Sequence, residues 1–108
     1  MTADYVLVTT TVEDVEDAKM LADSIVNARL AACAHLEPTR SVYWWAGAVQ
    51  DDEEWKVEFK TTAHRAAELQ QAILDQHTYK TPQVVVTPII GGSPAYLAWL
   101  TAETTPRT

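Results

Sequence analysis

Residues 54–60 read Glu54-Trp55-Lys56-Val57-Glu58-Phe59-Lys60, with an apolar residue at every second place. Side chains on a strand alternate between faces, so this stretch reads as a strand with a charged face and an apolar one. Working back, Ala46-Gly47-Ala48 reads as a turn. Before it, Ala31 to Ala46 reads as a long strand interrupted at Pro38, which lacks the N–H for a ladder bond and marks an edge or a bulge. The two runs make a hairpin. An arm of about 14 residues spans roughly 45 Å at about 3.3 Å per residue. A compact chain of this length has a diameter of roughly 35 Å. The hairpin is therefore expected to overhang the domain.

Further back, Asp4 to Thr10 is short, β-branched and aromatic, and reads as a first strand. Thr11 with Asp14 approximates a capping box, and the acidic residues that follow suit the positive end of a helix. Val15, Ala18, Ala22, Ile25 and Ala28, widened by Leu21, share one helical face and predict a helix over about 13–30. Beyond the alternating strand, Thr61 or Thr62 is expected to cap a second helix over about 63–77, with Ala66, Leu69, Ile73 and His77 on one face. Gln83 to Ile90 reads as a last strand, and Ser93 with Pro94 opens a short final helix.

The order is β-α-β-β-α-β followed by a helix. This is the split βαβ of an α+β, ferredoxin-like sandwich, in which two helices cover one sheet face. Tyr5-Val6-Leu7-Val8, Val42-Tyr43-Trp44-Trp45 and Val84-Val85-Val86 are apolar on both sides of the pleat. Leaving several large apolar side chains wet is unusual. A homo-oligomer is therefore expected, unless the final helix covers the second face alone.

The composition narrows the function. The chain has 108 residues, enough for one domain, here expected over residues 1–103 with a tail over 104–108. Eight basic residues against fifteen acidic ones argue against a nucleic-acid partner and against an anionic membrane surface. One cysteine, Cys33, fits a reducing compartment. No apolar run approaches a membrane span, and Met1-Thr2-Ala3-Asp4 lacks the pattern of a signal peptide, so a cytoplasmic protein is expected.

Dinucleotide, P-loop, C-x-x-C, H-E-x-x-H and G-x-S-x-G motifs are all missing. Cys33 and His35 face the same side of a strand, and a thiolate with an imidazole suits Cu(I), Cu(II) or Zn(II), given a third ligand from elsewhere. Cys33 also reads as a small core residue in its Ala-Ala-Cys-Ala run. His77 at a helix end reads either as a cation complementing the dipole or as a metal contact at a subunit edge. Gly91-Gly92-Ser93 reads as a turn and cap, or as an anion site. In Asp51-Asp52-Glu53-Glu54 alternate residues point to opposite faces, so the run does not converge on one hard cation. Lys60 pairs with Glu58, with a neighbour's Glu54, or with an anionic ligand. The four tryptophans suit core, interface and stacking roles.

Taken together, Thr9-Thr10-Thr11, Leu30-Ala31-Ala32-Cys33, Ser41-Val42-Tyr43-Trp44-Trp45-Ala46-Gly47, Lys60-Thr61-Thr62, His77-Thr78-Tyr79-Lys80-Thr81-Pro82 and Tyr96-Leu97-Ala98-Trp99-Leu100 resemble the CutA family of divalent-cation tolerance proteins. The resemblance implies a ferredoxin-like fold, a stable homotrimer similar to the PII signalling proteins, and a role in metal response or tolerance with copper among the candidate ions. It implies no catalytic activity and no cofactor required for folding. On this basis Cys33, His77 and His35 are candidate ligands for Cu(II) or another divalent cation. Trp45, Glu54, Lys60 and Tyr79 are candidates for an inter-subunit cleft. The chain departs from the family pattern at Thr78 and Gln83, where a proline and an acidic residue are usual, and has Thr9 and Gln76 where copper-linked members can carry a thiol and a second histidine. The alternative is a structural trimer that scaffolds partner proteins without metal chemistry.

Overall fold

A computed structural model describes residues 3–106. The amino-terminal Met1 and Thr2 and the last two residues of the expected tail, Arg107 and Thr108, lie outside the described residues. In chain order the elements are β1 (Tyr5–Val12), α1 (Val15–Asn27), β2 (Cys33–Trp45), β3 (Ala48–Thr62), α2 (Ala66–Gln76), β4 (Val85–Ile89) and α3 (Pro94–Thr104). A short 3₁₀ turn, Ala63–Arg65, leads into α2. The four strands form one antiparallel sheet in the order β2-β3-β1-β4, the ferredoxin-like arrangement.

Several expected boundaries move. Strand β1 runs on to Val12, so the cap of α1 is Asp14, whose carboxylate accepts from the Asp17 N–H at 2.9 Å. The helix stops at Asn27, short of residue 30. Arg29 takes a left-handed conformation (φ 60°), its N–H donates to the Val26 carbonyl, and the Leu30 N–H donates to that of Ile25. These are the two bonds of a Schellman ending. Pro38 does not interrupt β2: the register runs unbroken from Cys33 opposite Lys60 to Trp45 opposite Ala48. Because β2 is an edge strand, the missing proline N–H removes no ladder bond. Thr104 is the last residue of α3 and is buried, rather than the start of a tail.

The main core lies on one face of the sheet. Val6 and Val8 of β1 and Val57 and Phe59 of β3 pack beneath Ala18, Leu21 and Ile25 of α1 and Leu69 and Ile73 of α2. The alternation of residues 54–60 has its cause here, since the odd-numbered residues face this core. Helix α3 lies on the other face, at the end of the sheet where Tyr5 Oη meets Thr101 Oγ1 at 2.8 Å and Cys33 Sγ meets Tyr96 Oη at 3.5 Å.

The middle of that second face is charged rather than apolar. Lys56 pairs with Glu37 at 2.9 Å and with Glu58 at 3.6 Å, and Lys60 donates to His35 Nδ1 at 3.1 Å. Exposed apolar side chains gather at the hairpin tip (Val42, Tyr43, Trp44, Trp45, Val49) and along the β4–α3 end (Val85, Ile90, Tyr96, Trp99). The hairpin stretches the molecule to 44 × 30 × 21 Å, as its strand lengths require.

Candidate functional site

The site is built where β1 ends and the hairpin continues alone. The segment after α2 folds back against this junction. His77 fixes it: Nε2 lies 2.7 Å from the Thr11 carbonyl, and Nδ1 accepts the Tyr79 N–H at 3.0 Å. A carbonyl can only accept and Nδ1 is already accepting, so the proton must sit on Nε2. The bond brings Tyr79 onto β3, where its phenol donates to Glu54 Oε2 at 2.7 Å. The two rings of His77 and Tyr79 lie 4.7 Å apart.

Glu54 is only 7% exposed. Burial, the bond to Glu54 and the charge of that carboxylate together hold the Tyr79 phenol well above its ordinary pKa, because each opposes a second negative charge. Two residues along β3, Asp52 accepts from Tyr43 Oη at 2.8 Å, and this bond raises the Tyr43 phenol in the same way. Between the hairpin and residues 79–83 runs an open groove of about 1060 Å³, bordered by Tyr43, Trp45, Asp52, Glu54, Tyr79 and Glu13.

The structure therefore gathers Trp45, Glu54 and Tyr79 on one groove. Lys60 lies elsewhere, beside His35 near the start of β2, and pairs with neither Glu58 nor Glu54 within the chain. Tyr43 and Asp52 complete the groove without having been singled out as site residues. The expected turn over Ala46-Gly47-Ala48 would set Tyr43 opposite Asp51; the observed two-residue turn, with Trp45 opposite Ala48, is what puts Tyr43 and Asp52 on one face.

The metal candidates are not brought together. Cys33 stands opposite Lys60, itself opposite Leu7, whereas His77 holds Thr11, about 13 Å farther along β1. Cys33 and His35 share the second face, and the Cys33 bond is the main cause that pushes the Tyr96 phenol up to about 12. Among the described residues no three His, Cys, Asp or Glu side chains group as a metal site. His77 has both ring nitrogens engaged within the chain. A metal at Cys33 and His35 would need a third donor from outside the subunit.

A family model described as CutA1 divalent ion tolerance protein matches residues 6–103. The chain belongs to this family. Among curated relatives, the divalent-cation tolerance protein CutA of Pectobacterium atrosepticum is 40% identical over 102 residues, 93% of this chain and 92% of that protein. The chloroplastic CutA 1 of Oryza sativa subsp. japonica is 39% identical over 104 residues. The chain spans 59% of the length of that plant protein, and 57% of its Arabidopsis thaliana counterpart. Among solved structures, CutA from Synechococcus elongatus PCC7942 superposes with a TM-score of 0.92 at 39% identity, covering 96% of this chain and 93% of that one. The CutA1 family is named for tolerance and not for a reaction.

These CutA relatives also bear on the compartment. The rice protein is named chloroplastic, and the Archaeoglobus fulgidus CutA is named periplasmic. Membership of the CutA1 family thus does not carry the expected cytoplasmic setting with it. Among the described residues no helix is long and apolar enough to cross a membrane.

Proposed function

We propose that the chain acts in the response to divalent cations as a homotrimeric binding or signalling module rather than an enzyme, in the cytoplasm. The observation that carries this reading is the bare hairpin tip. Trp44 is 74% exposed and Val42 67%, beyond the reach of α1 and α2, and further copies are what would cover them. Trimeric closure places the ends of three sheets side by side. Single donors such as Cys33 and His35 on one subunit then gain ligands from the next, which suits Cu(II) or another divalent cation. His77 joins such a site only by releasing Thr11 or the Tyr79 N–H.

The engaged nitrogens of His77 and the lack of a three-donor group among the described residues favour a second reading, a trimer that scaffolds partner proteins. Isothermal titration with copper and zinc separates the two. The metal reading expects micromolar copper binding that disappears in Cys33→Ser or His77→Ala. Silence with both metals favours the scaffold.

A further inference from the structure

The groove beside the hairpin contains a carboxylate with no counter-charge. Glu54 is more than nine-tenths buried, yet among the described residues its only hydrogen bond comes from a neutral phenol, at Oε2. Among the described residues no Lys or Arg nitrogen lies within 4.0 Å of it, and Oε1 has no partner and is not sealed from the groove. A charge withdrawn from water in this way calls for a cation. Arg40, which also borders the groove, is already paired with Asp51 and Glu53. Asp52, on the same face two residues away and hence about 7 Å off, also borders the groove, as do Glu13 and Glu53. The remaining wall combines the rings of Tyr43, Trp45 and Tyr79 with Lys80, Glu53 and neutral polar side chains.

A metal ion fits this lining poorly. Hard divalent cations need six or more oxygen donors, and no three acidic or imidazole groups converge here. An organic ammonium fits better, because it asks for one or two carboxylates at each nitrogen and gains from ring faces around its carbon chain. We propose that the groove binds a small organic diamine, one ammonium on Glu54 Oε1 and the other toward Asp52, with Tyr43 and Tyr79 flanking the chain between them.

This site goes beyond the metal reading and does not depend on it: copper titration reports on Cys33 and His77, diamine titration on Glu54. The test is calorimetry of the assembled protein with 1,4-diaminobutane, at fixed ionic strength, beside magnesium chloride and butylamine. Saturable binding is expected, at least tenfold tighter than for butylamine. It should weaken at least tenfold in Glu54→Gln, a variant that keeps the acceptor for Tyr79 and is checked for folding by circular dichroism. Lys80→Ala, which removes an exposed cation from the border of the groove, should leave binding equal or tighter. Three results overturn the proposal. One is competition by magnesium at equal charge, which marks a diffuse ionic atmosphere. Another is a Glu54→Gln variant that folds and binds as the parent does. The third is an assembled protein that binds no diamine at all, as it would if a cationic side chain of a second copy filled the groove.

Discussion

At the scale of single residues, the pair Tyr79 and Glu54 sets the chemistry of the groove. The phenol is held above its ordinary pKa, so the sign of its effect on stability follows from linkage. Below about pH 10 the phenol is protonated in folded and unfolded chains alike and its contribution is complete. Above that value the unfolded chain releases the proton and the folded one keeps it, so stability falls as pH rises. Tyr79→Phe is expected to cost about 1–3 kcal/mol at pH 8, since it strips a buried carboxylate of its donor. It should also lessen the alkaline loss, leaving the part due to Lys56 and the other raised phenols. Urea unfolding at pH 8 and at pH 10.5 measures both effects, and an unchanged alkaline slope would refute the assignment. Site legibility was uneven at this scale. Trp45, Glu54 and Tyr79 were legible as companions only through the family resemblance, because no spacing in the chain announces that residue 79 folds back onto β3. The partners of His77 were not legible, because they are a backbone carbonyl and a backbone N–H, which no residue identity announces. Lys60 went astray for a similar reason: period two gives its face but not its neighbour across β2.

At the scale of elements, the hairpin turn shows how local chemistry supports the overhang. Ala46 (φ 52°) and Gly47 (φ 79°) are both left-handed, the pattern of a two-residue type I′ turn. Glycine takes this conformation freely, while alanine there costs about 1–2 kcal/mol. Ala46→Asn should therefore raise stability by about 0.5–1 kcal/mol, and Gly47→Ala should lower it by about 1–2 kcal/mol, although no atom crowds its Cβ position. Thermal unfolding of the two variants checks the opposite signs. The existence and order of all seven elements were legible, because hydrophobic period decides strand or helix and the core enforces it. Their ends were less so. Thr11 looks like a cap, but pairing opposite Lys56 keeps it in β1 and passes the cap to Asp14. The apolar spacing continued by Ala28 extends the expected first helix to about residue 30, yet the backbone turns left-handed at Arg29.

At the scale of the whole molecule, the question is what covers the tip. Apolar residues on both faces of the sheet first suggest a uniformly greasy second face. In the fold, α3 takes one end of that face and ion pairs take its middle; exposed apolar side chains gather at the β4–α3 end and at the tip, where Val42, Trp44 and Val49 lie on the helix side of the sheet. Two separated patches on one chain suit cyclic closure, in which the tip of each copy meets the β4–α3 end of the next. This geometry gives a direct test through Trp44. In a free subunit an exposed tryptophan can be exchanged for a charged residue at a cost within about 0.5 kcal/mol. In a closed ring the same exchange buries a charge against apolar surface and breaks the contact. Light scattering behind size exclusion should therefore give three times the 12.0 kDa chain mass for the parent protein at micromolar concentration. Trp44→Arg should shift that mass toward a single chain while circular dichroism remains that of a folded protein. A parent that elutes as one chain, or a Trp44→Arg variant with unchanged mass, would remove the basis for the trimer.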